Sequence, residues 1–296
     1  MVSAWLAFLA GLVAAYLVPL ACASLLARRP SSSSSHELYS STADDALLLN
    51  LEPPATRWFN MGYWPRTQLS SSSSSSFAAA AADLCRLVAR AAHLGPNQRI
   101  CEVGYGSGDS TLLLEREFRP ARYLGLTSLA SQHATAGESP FLRAQAAGLP
   151  TDRIQLRHGD AATDLASEPA DSFDAVLAVD CAYHFNTRVA FLSHAQRILR
   201  PGGSLALTDL LLAAPPPPSS SSLLSSLITP LLLRTLLLVA RAPWHNFVQP
   251  ATYRAELVAA GFDPASIELR DVSDAVWPGF CHFQCHPNPE RTDTLG

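Results

Sequence analysis

From Phe77 onward, short apolar runs alternate with stretches whose apolar positions recur every three to four residues. "FAAAAADLCRLVARAAHLG" is rich in strong helix formers and predicts a helix ending at Gly95. "RICEV" predicts a first strand and "DSTLLLEREF" the next helix. "RYLGLT" predicts a second strand, followed by a helix from about Ser128 that Gly137 and Pro140 interrupt. "RIQLRHGD" and "FDAVLAVD" predict strands three and four, and "RVAFLSHAQRILR" is an amphipathic helix. Pro201-Gly202-Gly203 turns the chain into "SLALTDL", a fifth strand. "ATYRAELVAAGF" predicts a helix closed by glycine, and "SIELRDV" a sixth strand. Strands alternating with helices in this way predict an α/β protein with a mostly parallel, doubly wound sheet of six or seven strands. Ligands of such sheets bind at the carboxyl ends of the strands, so the polar residues there carry the chemistry.

Before Phe77 the pattern changes. No Asp, Glu, Lys or Arg occurs from Met1 to Ala27, and Arg28 and Arg29 follow. An apolar span of that length suffices to cross a bilayer as a helix, and the flanking arginines favour a cytosolic remainder. A cleaved signal peptide ending near Ala21-Cys22-Ala23 is the rival, although a basic leading region is missing. A merely sticky terminus is the third reading. Serine tracts at Ser31–Ser35, Ser70–Ser76 and Ser219–Ser222 cannot bury apolar surface and read as linkers or loop insertions. The expected map is a transmembrane anchor over 1–29, a linker and lead-in over 30–57, and one domain over 58–296 with a lid insertion at about 209–250.

Composition narrows the function. The 296 residues carry 21 Lys and Arg against 25 Asp and Glu, a formal net charge of −4, with no basic stripe for nucleic acid. Six cysteines are scattered, and Cys101 and Cys181 fall in or beside predicted core strands. Reduced thiols fit that placement better than a disulfide framework. "CHFQCHP" has neither zinc nor haem spacing, and no metal site is expected.

The stretch after the first strand, "EVGYGSGD", places Gly104, Gly106 and Gly108 in alternation behind Glu102. A Walker phosphate loop would need a lysine that is missing. The dinucleotide fingerprint would need glycine where Asp109 stands. Glu102 at a strand end disfavours a pyrophosphate and suits a cationic ligand, while glycines allow close backbone approach. These residues resemble the first motif of the class I S-adenosylmethionine-dependent methyltransferases, a Rossmann-like fold. "GLTSLASQ" resembles, at Gly125, Thr127 and Gln132, the branch holding tocopherol and macrolide-sugar methyltransferases and cyclopropane fatty acid synthases. Most of the wider family has an acid at the Thr127 position.

The resemblance implies S-adenosylmethionine as cofactor. It places Glu102 near the methionine end, the backbone of Gly104, Gly106 and Gly108 against the cofactor, Thr127 at the ribose, Gln132 among the cofactor-binding residues, and Asp160 with Ala161 at the adenine; Asp180 either contacts the methionine end or orients His184. It covers roughly Trp58 to Phe280, and the closing helix and antiparallel seventh strand of the family have no recognisable counterpart. "RWFNMGYWP" resembles the branch's cofactor-covering segment, with Tyr63 and Trp64 as its candidate aromatic contacts, and a plain hydrophobic docking strip is the other reading. "VDCAYHF" ends strand four. There His184 is the candidate base or acceptor-orienting residue, because imidazole titrates in the useful range. The resemblance implies that the greasy run between strand five and the next helix is a lid over the acceptor pocket, and core packing is the other reading of it. The expectation is methyl transfer to oxygen or carbon of a small lipophilic acceptor (polyketide, prenylated phenol, sterol-like or lipid). The alternative is a membrane protein that binds the cofactor without turnover and serves as a scaffold or regulator.

Overall fold

The computed structural model describes residues 56–65, 76–134, 136, 151–213, 233–235, 237, 240 and 242–285. The expected anchor over 1–29 and most of the linker lie outside these residues. No helix among the described residues is long and apolar enough to cross a membrane.

Five strands form one parallel sheet: β1 (Arg99–Val103), β2 (Arg122–Thr127), β3 (Ile154–His158), β4 (Phe173–Ala178) and β5 (Leu199–Leu207), in the order β3-β2-β1-β4-β5. Successive side chains alternate between its faces. Ile100, Tyr123, Ala175 and Leu177 join one buried cluster with helix α1 (Phe77–Ala91) and Leu113 and Leu114 of α2 (Asp109–Phe118). Cys101, Val103, Leu124, Leu126, Val176 and Ala178 face the other cluster, with α3 (Arg188–Ile198) and α4 (Pro250–Ala259). The order reverses at β1, so a crevice opens above the carboxyl ends of β1 and β4.

Local chemistry explains several boundaries. Ser76, the last residue of the second serine tract, caps α1 by accepting from the Ala79 amide (3.2 Å). The helix ends at Ala91, ahead of the expected Gly95, because His93 itself takes the left-handed conformation. Pro201-Gly202-Gly203 is a bulge inside β5 rather than a turn before it: Phe173 faces Leu199, yet Ala175 faces Ser204.

Two departures from the pattern stand out. The expected sixth strand, "SIELRDV", is not a strand, and the described residues hold five strands rather than six or seven. Its alternation is satisfied without a ladder partner. The Arg254 guanidinium of α4 takes the Pro264 and Ile267 carbonyls (3.3 and 3.0 Å), and Leu269 stays exposed. Residues Ser273–Cys285 form a further helix, α5, which the pattern does not announce because Pro278 stands inside it. Its Phe283 packs on Trp64 and Phe77, closing one face of the sheet near the start of α1.

Candidate active site

A cleft of about 310 Å3 opens at the carboxyl ends of β1, β2, β3 and β4. Its floor is the loop after β1. Gly104, Gly106 and Gly108 all have positive φ (+74°, +59° and +90°), which side-chain-bearing residues rarely adopt. At Gly104 a Cβ would meet Cys181 Sγ at 2.5 Å, so the β4 wall closes directly on the loop. Gly108 lies outside the cleft lining and acts instead as the left-handed residue that opens α2.

Glu102 is fully buried. Tyr123 donates its hydroxyl to Oε2 and also shares a 2.9 Å hydrogen bond with Thr111. The Ser110 hydroxyl donates to the Tyr105 carbonyl (3.3 Å), and Glu102 Oε1 has no hydrogen-bond partner among the described residues. Burial pushes the Glu102 carboxyl up to about 7, against the opposing pull of the Tyr123 hydroxyl.

At the end of β2 the Thr127 hydroxyl donates to Gln132 Oε1 (2.9 Å). Both residues line the cleft, and a hydroxyl and a primary amide stand there in place of a carboxylate. After β3, Asp160 Oδ1 accepts from the Ala162 amide (2.7 Å), and Asp164 fixes the Asp160 amide, also at 2.7 Å. Asp160 and Ala161 line the cleft on that side.

After β4, Asp180 adopts a left-handed φ of +56° and accepts from the Met61 amide (2.7 Å). Desolvation raises its carboxyl to about 7, while Met61 and the Tyr183 hydroxyl pull it down and Asp209 pushes it up. His184 follows in a short 3-10 turn, its amide bonded to the Cys181 carbonyl (3.0 Å) and its ring 4.4 Å from that of Tyr183.

The segment 56–65 crosses the cleft. The Arg57 amide donates to Asp109 Oδ2 (2.9 Å) on one wall and the Met61 amide to Asp180 on the other. Trp58, Phe59 and Asn60 between them line the cleft, and Phe59 is the nearest side chain to Gly106. Tyr63 and Trp64 do not line it. Gly62, with φ +77°, turns the chain away. The Tyr63 amide then pairs with Ala80 and the Trp64 amide with Ala275, burying Trp64 against α1 and α5.

The cleft therefore gathers Glu102, Gly104, Gly106, Thr127, Gln132, Asp160, Ala161, Asp180 and His184, and leaves out Gly108, Tyr63 and Trp64. The sequence reading misses Phe59, Asp109 and Tyr183. Tyr183 directly precedes His184, Phe59 lies in the quoted "RWFNMGYWP", and Asp109 directly follows Gly108, so each stood beside or within a motif already singled out. What the sequence hides is the tie of Asp109 to a backbone amide 52 residues away.

Four carboxylate residues (Glu102, Asp109, Asp160, Asp180) face the cleft against one arginine, Arg57. That balance repels a polyphosphate and attracts a cation. A switch-point cleft in a parallel sheet, floored by glycines and walled by acids, defines an α/β protein built for a cationic nucleoside-type cofactor. The chain belongs to the methyltransferase-domain family, which it matches over residues 77–267, in the class I S-adenosylmethionine-dependent branch. It is 28% identical over 221 residues to erythromycin 3''-O-methyltransferase of Saccharopolyspora erythraea, covering 74% of this chain and 65% of that one. It is 33% identical over 119 residues to the fatty-acid O-methyltransferase of Mycolicibacterium smegmatis, covering 38% and 37%. These alignments span less than two thirds of either curated relative. Among solved structures, the cyclase SpnF superposes with a TM-score of 0.60 at 21% identity, covering 91% of this chain and 88% of that one. The cyclopropane synthase MmaA2 of Mycobacterium tuberculosis gives 0.54 at 16%, covering 79% and 77%. Both are likenesses of fold.

The family cofactor is S-adenosylmethionine, and the residues present fit it. Glu102 Oε1 is a buried acceptor awaiting a donor. Gly106 lines the cleft with φ +59°, a backbone conformation that side-chain-bearing residues rarely adopt, so main chain rather than a side chain faces the ligand space there.

Proposed function

We propose that this protein transfers a methyl group from S-adenosylmethionine to a hydroxyl or carbon of a small lipophilic acceptor. The observation that carries this is the convergence, in one cleft, of the buried Glu102 carboxyl, the glycine floor and His184. Bound there, S-adenosylmethionine supplies an electrophilic methyl group.

The chain's own residues supply the rest. Glu102, Asp109 and Asp180 give a negative wall for an ammonium and a sulfonium. Thr127 and Gln132 hold ribose hydroxyls, and Asp160 accepts from an amino group on the base. His184, at the β4 end of the cleft, takes the proton of an acceptor hydroxyl or orients the acceptor. Methyl transfer gains chiefly from positioning and exclusion of water, and the 56–65 segment over the cleft serves both.

A lipophilic acceptor is supported by what lies beside His184. Tyr183 and Ala240 line the cleft and pack with Leu237, Ala242 and Phe247 in one apolar cluster. The names of the two O-methyltransferase relatives point the same way. The uncharged stretch from Met1 to Ala27 supports attachment to a membrane.

Calorimetry with S-adenosylmethionine and its demethylated product tests the cofactor site. Labelled-methyl transfer into a total lipid extract, compared between wild type and His184→Ala, tests the reaction. Absence of binding heat with either nucleoside overturns the reading. Binding without any labelled product leaves the chain a cofactor-binding protein without turnover.

A further inference from the structure

Asn246 does not line the cleft, yet it touches three points of the segment that carries His184. It ends the short 3-10 turn Trp244–Asn246 and is 1% exposed. Its Nδ2 donates to the Tyr183 carbonyl (3.0 Å) and to the Phe185 carbonyl (2.7 Å), the residues on either side of His184. Its own carbonyl accepts from the Arg188 guanidinium at the start of α3. Arg188 is itself fixed by Asp209 (3.2 Å), by Glu256 of α4 (2.8 Å) and by the Tyr253 ring (4.4 Å from its guanidinium carbon to the centroid).

A primary amide is suited to this place. Two carbonyls separated by one residue need two N–H donors from one short, neutral side chain, and asparagine carries both on a single nitrogen. An aliphatic residue would leave two buried acceptors unpaired, and a carboxylate would set negative charge against them. The turn is also seated on lid residues. Phe247, next in the chain, shares an apolar cluster with Leu237, Ala242 and Tyr183, and the Ala242 amide bonds the Leu237 carbonyl (2.8 Å).

We propose that Asn246 is the positioning residue for His184, fixing the 183–188 segment and linking its placement to Leu237, Ala242 and Phe247, which pack beside Tyr183. The kinetic part of this proposal rests on the methyl-transfer reading of the cleft; the structural part does not.

The test uses the full chain, with Asn246→Ala and the near-isosteric Asn246→Asp. Amide hydrogen exchange is followed at His184 and Phe185, calorimetry reads affinity for S-adenosylmethionine, and labelled-methyl transfer into a total lipid extract reads kcat and KM. In both variants exchange at these two amides should speed at least about tenfold, with cofactor affinity held within about threefold. The rate should fall in kcat by about thirtyfold or more, with KM changed less than about threefold. Asn246→Asp should regain part of the rate at the acid end of its pH profile, where a protonated carboxyl recovers one donor. Lost packing volume would not produce that rescue. If the alanine variant does not fold, the aspartate variant carries the test. Unchanged exchange overturns the proposal, and so does faster exchange with an unchanged kcat. If wild type labels nothing, the methyl-transfer reading fails, and the exchange comparison alone decides for or against Asn246.

Discussion

Tyr123 holds Glu102 from β2, its hydroxyl on one carboxylate oxygen, while the other oxygen is buried without a hydrogen-bond partner among the described residues. The carboxyl is half prepared: fixed in place, deprived of water, and raised to about 7 by burial. Under the proposed function, the cationic end of the cofactor is what this carboxyl receives.

Glu102→Gln should keep the Tyr123 contact and lose the charge. Affinity for S-adenosylmethionine should fall about 10- to 100-fold, roughly 1.4–2.7 kcal/mol. Stability should move the opposite way. A carboxyl whose folded pKa is raised from 4.5 to about 7 contributes stability below pH 4.5 that is lost as pH rises through 7. The ligand-free variant should therefore melt higher than wild type at pH 8 and equally at pH 4. Identical melting temperatures at pH 8 refute this.

Cofactor affinity itself should depend on pH. Glu102 and Asp180 are both raised to about 7 by desolvation, and a neighbouring cation favours their ionised forms. Binding should tighten as pH rises from about 6 to 8 and should release protons. Calorimetry in two buffers of different ionisation enthalpy measures that release directly, and a flat affinity across the range refutes the assignment.

Gly104→Ala should destabilise the fold by about 2–4 kcal/mol, combining a left-handed backbone with overpacking. Its Cβ would fall 2.5 Å from Cys181 Sγ and 2.9 Å from Cys181 Cβ. Adding Cys181→Ala should recover part of the loss, because only the sulfur contact is relieved. Urea denaturation of the two single variants and the double variant gives the coupling.

Phe59→Ala and Trp64→Ala separate cleft from core in the 56–65 segment. Trp64 is buried on α1 and α5, so its removal should cost about 3–5 kcal/mol of stability. Cofactor affinity of the folded variant should stay within a few-fold. Phe59 lines the cleft, and its loss should weaken cofactor binding about tenfold with little change in melting temperature. The reverse pattern would return the covering role to Trp64.

The sequence reveals what depends on neighbours in the chain. The short apolar runs "RICEV", "RYLGLT" and "FDAVLAVD" suffice for the strands, and the glycines, Thr127 and Asp160 declare themselves by lying at strand ends. It conceals what depends on distant partners. Nothing near Asn246 announces carbonyls 61 and 63 residues earlier, and nothing near Asp180 announces an amide 119 residues away. The aromatic pair Tyr63-Trp64 reads as a cover for a ligand because composition cannot show that Gly62 turns both away. "SIELRDV" has the right alternation, but a strand also needs a ladder partner, and Arg254 takes its Ile267 carbonyl.

The reversal of strand order at β1 has a practical consequence for finding the missing reactant. The two walls meet through pairings such as Ile100 with Ala175, so the cleft exists only after widely separated stretches of chain have come together. A molecule that needs both walls recognises the native chain and not the unfolded one. Its occupancy then appears as resistance to heat, about 2.7 kcal/mol at a concentration one hundred times Kd. Acceptors can thus be sorted by melting curves recorded with the demethylated cofactor in place, before any product has been identified.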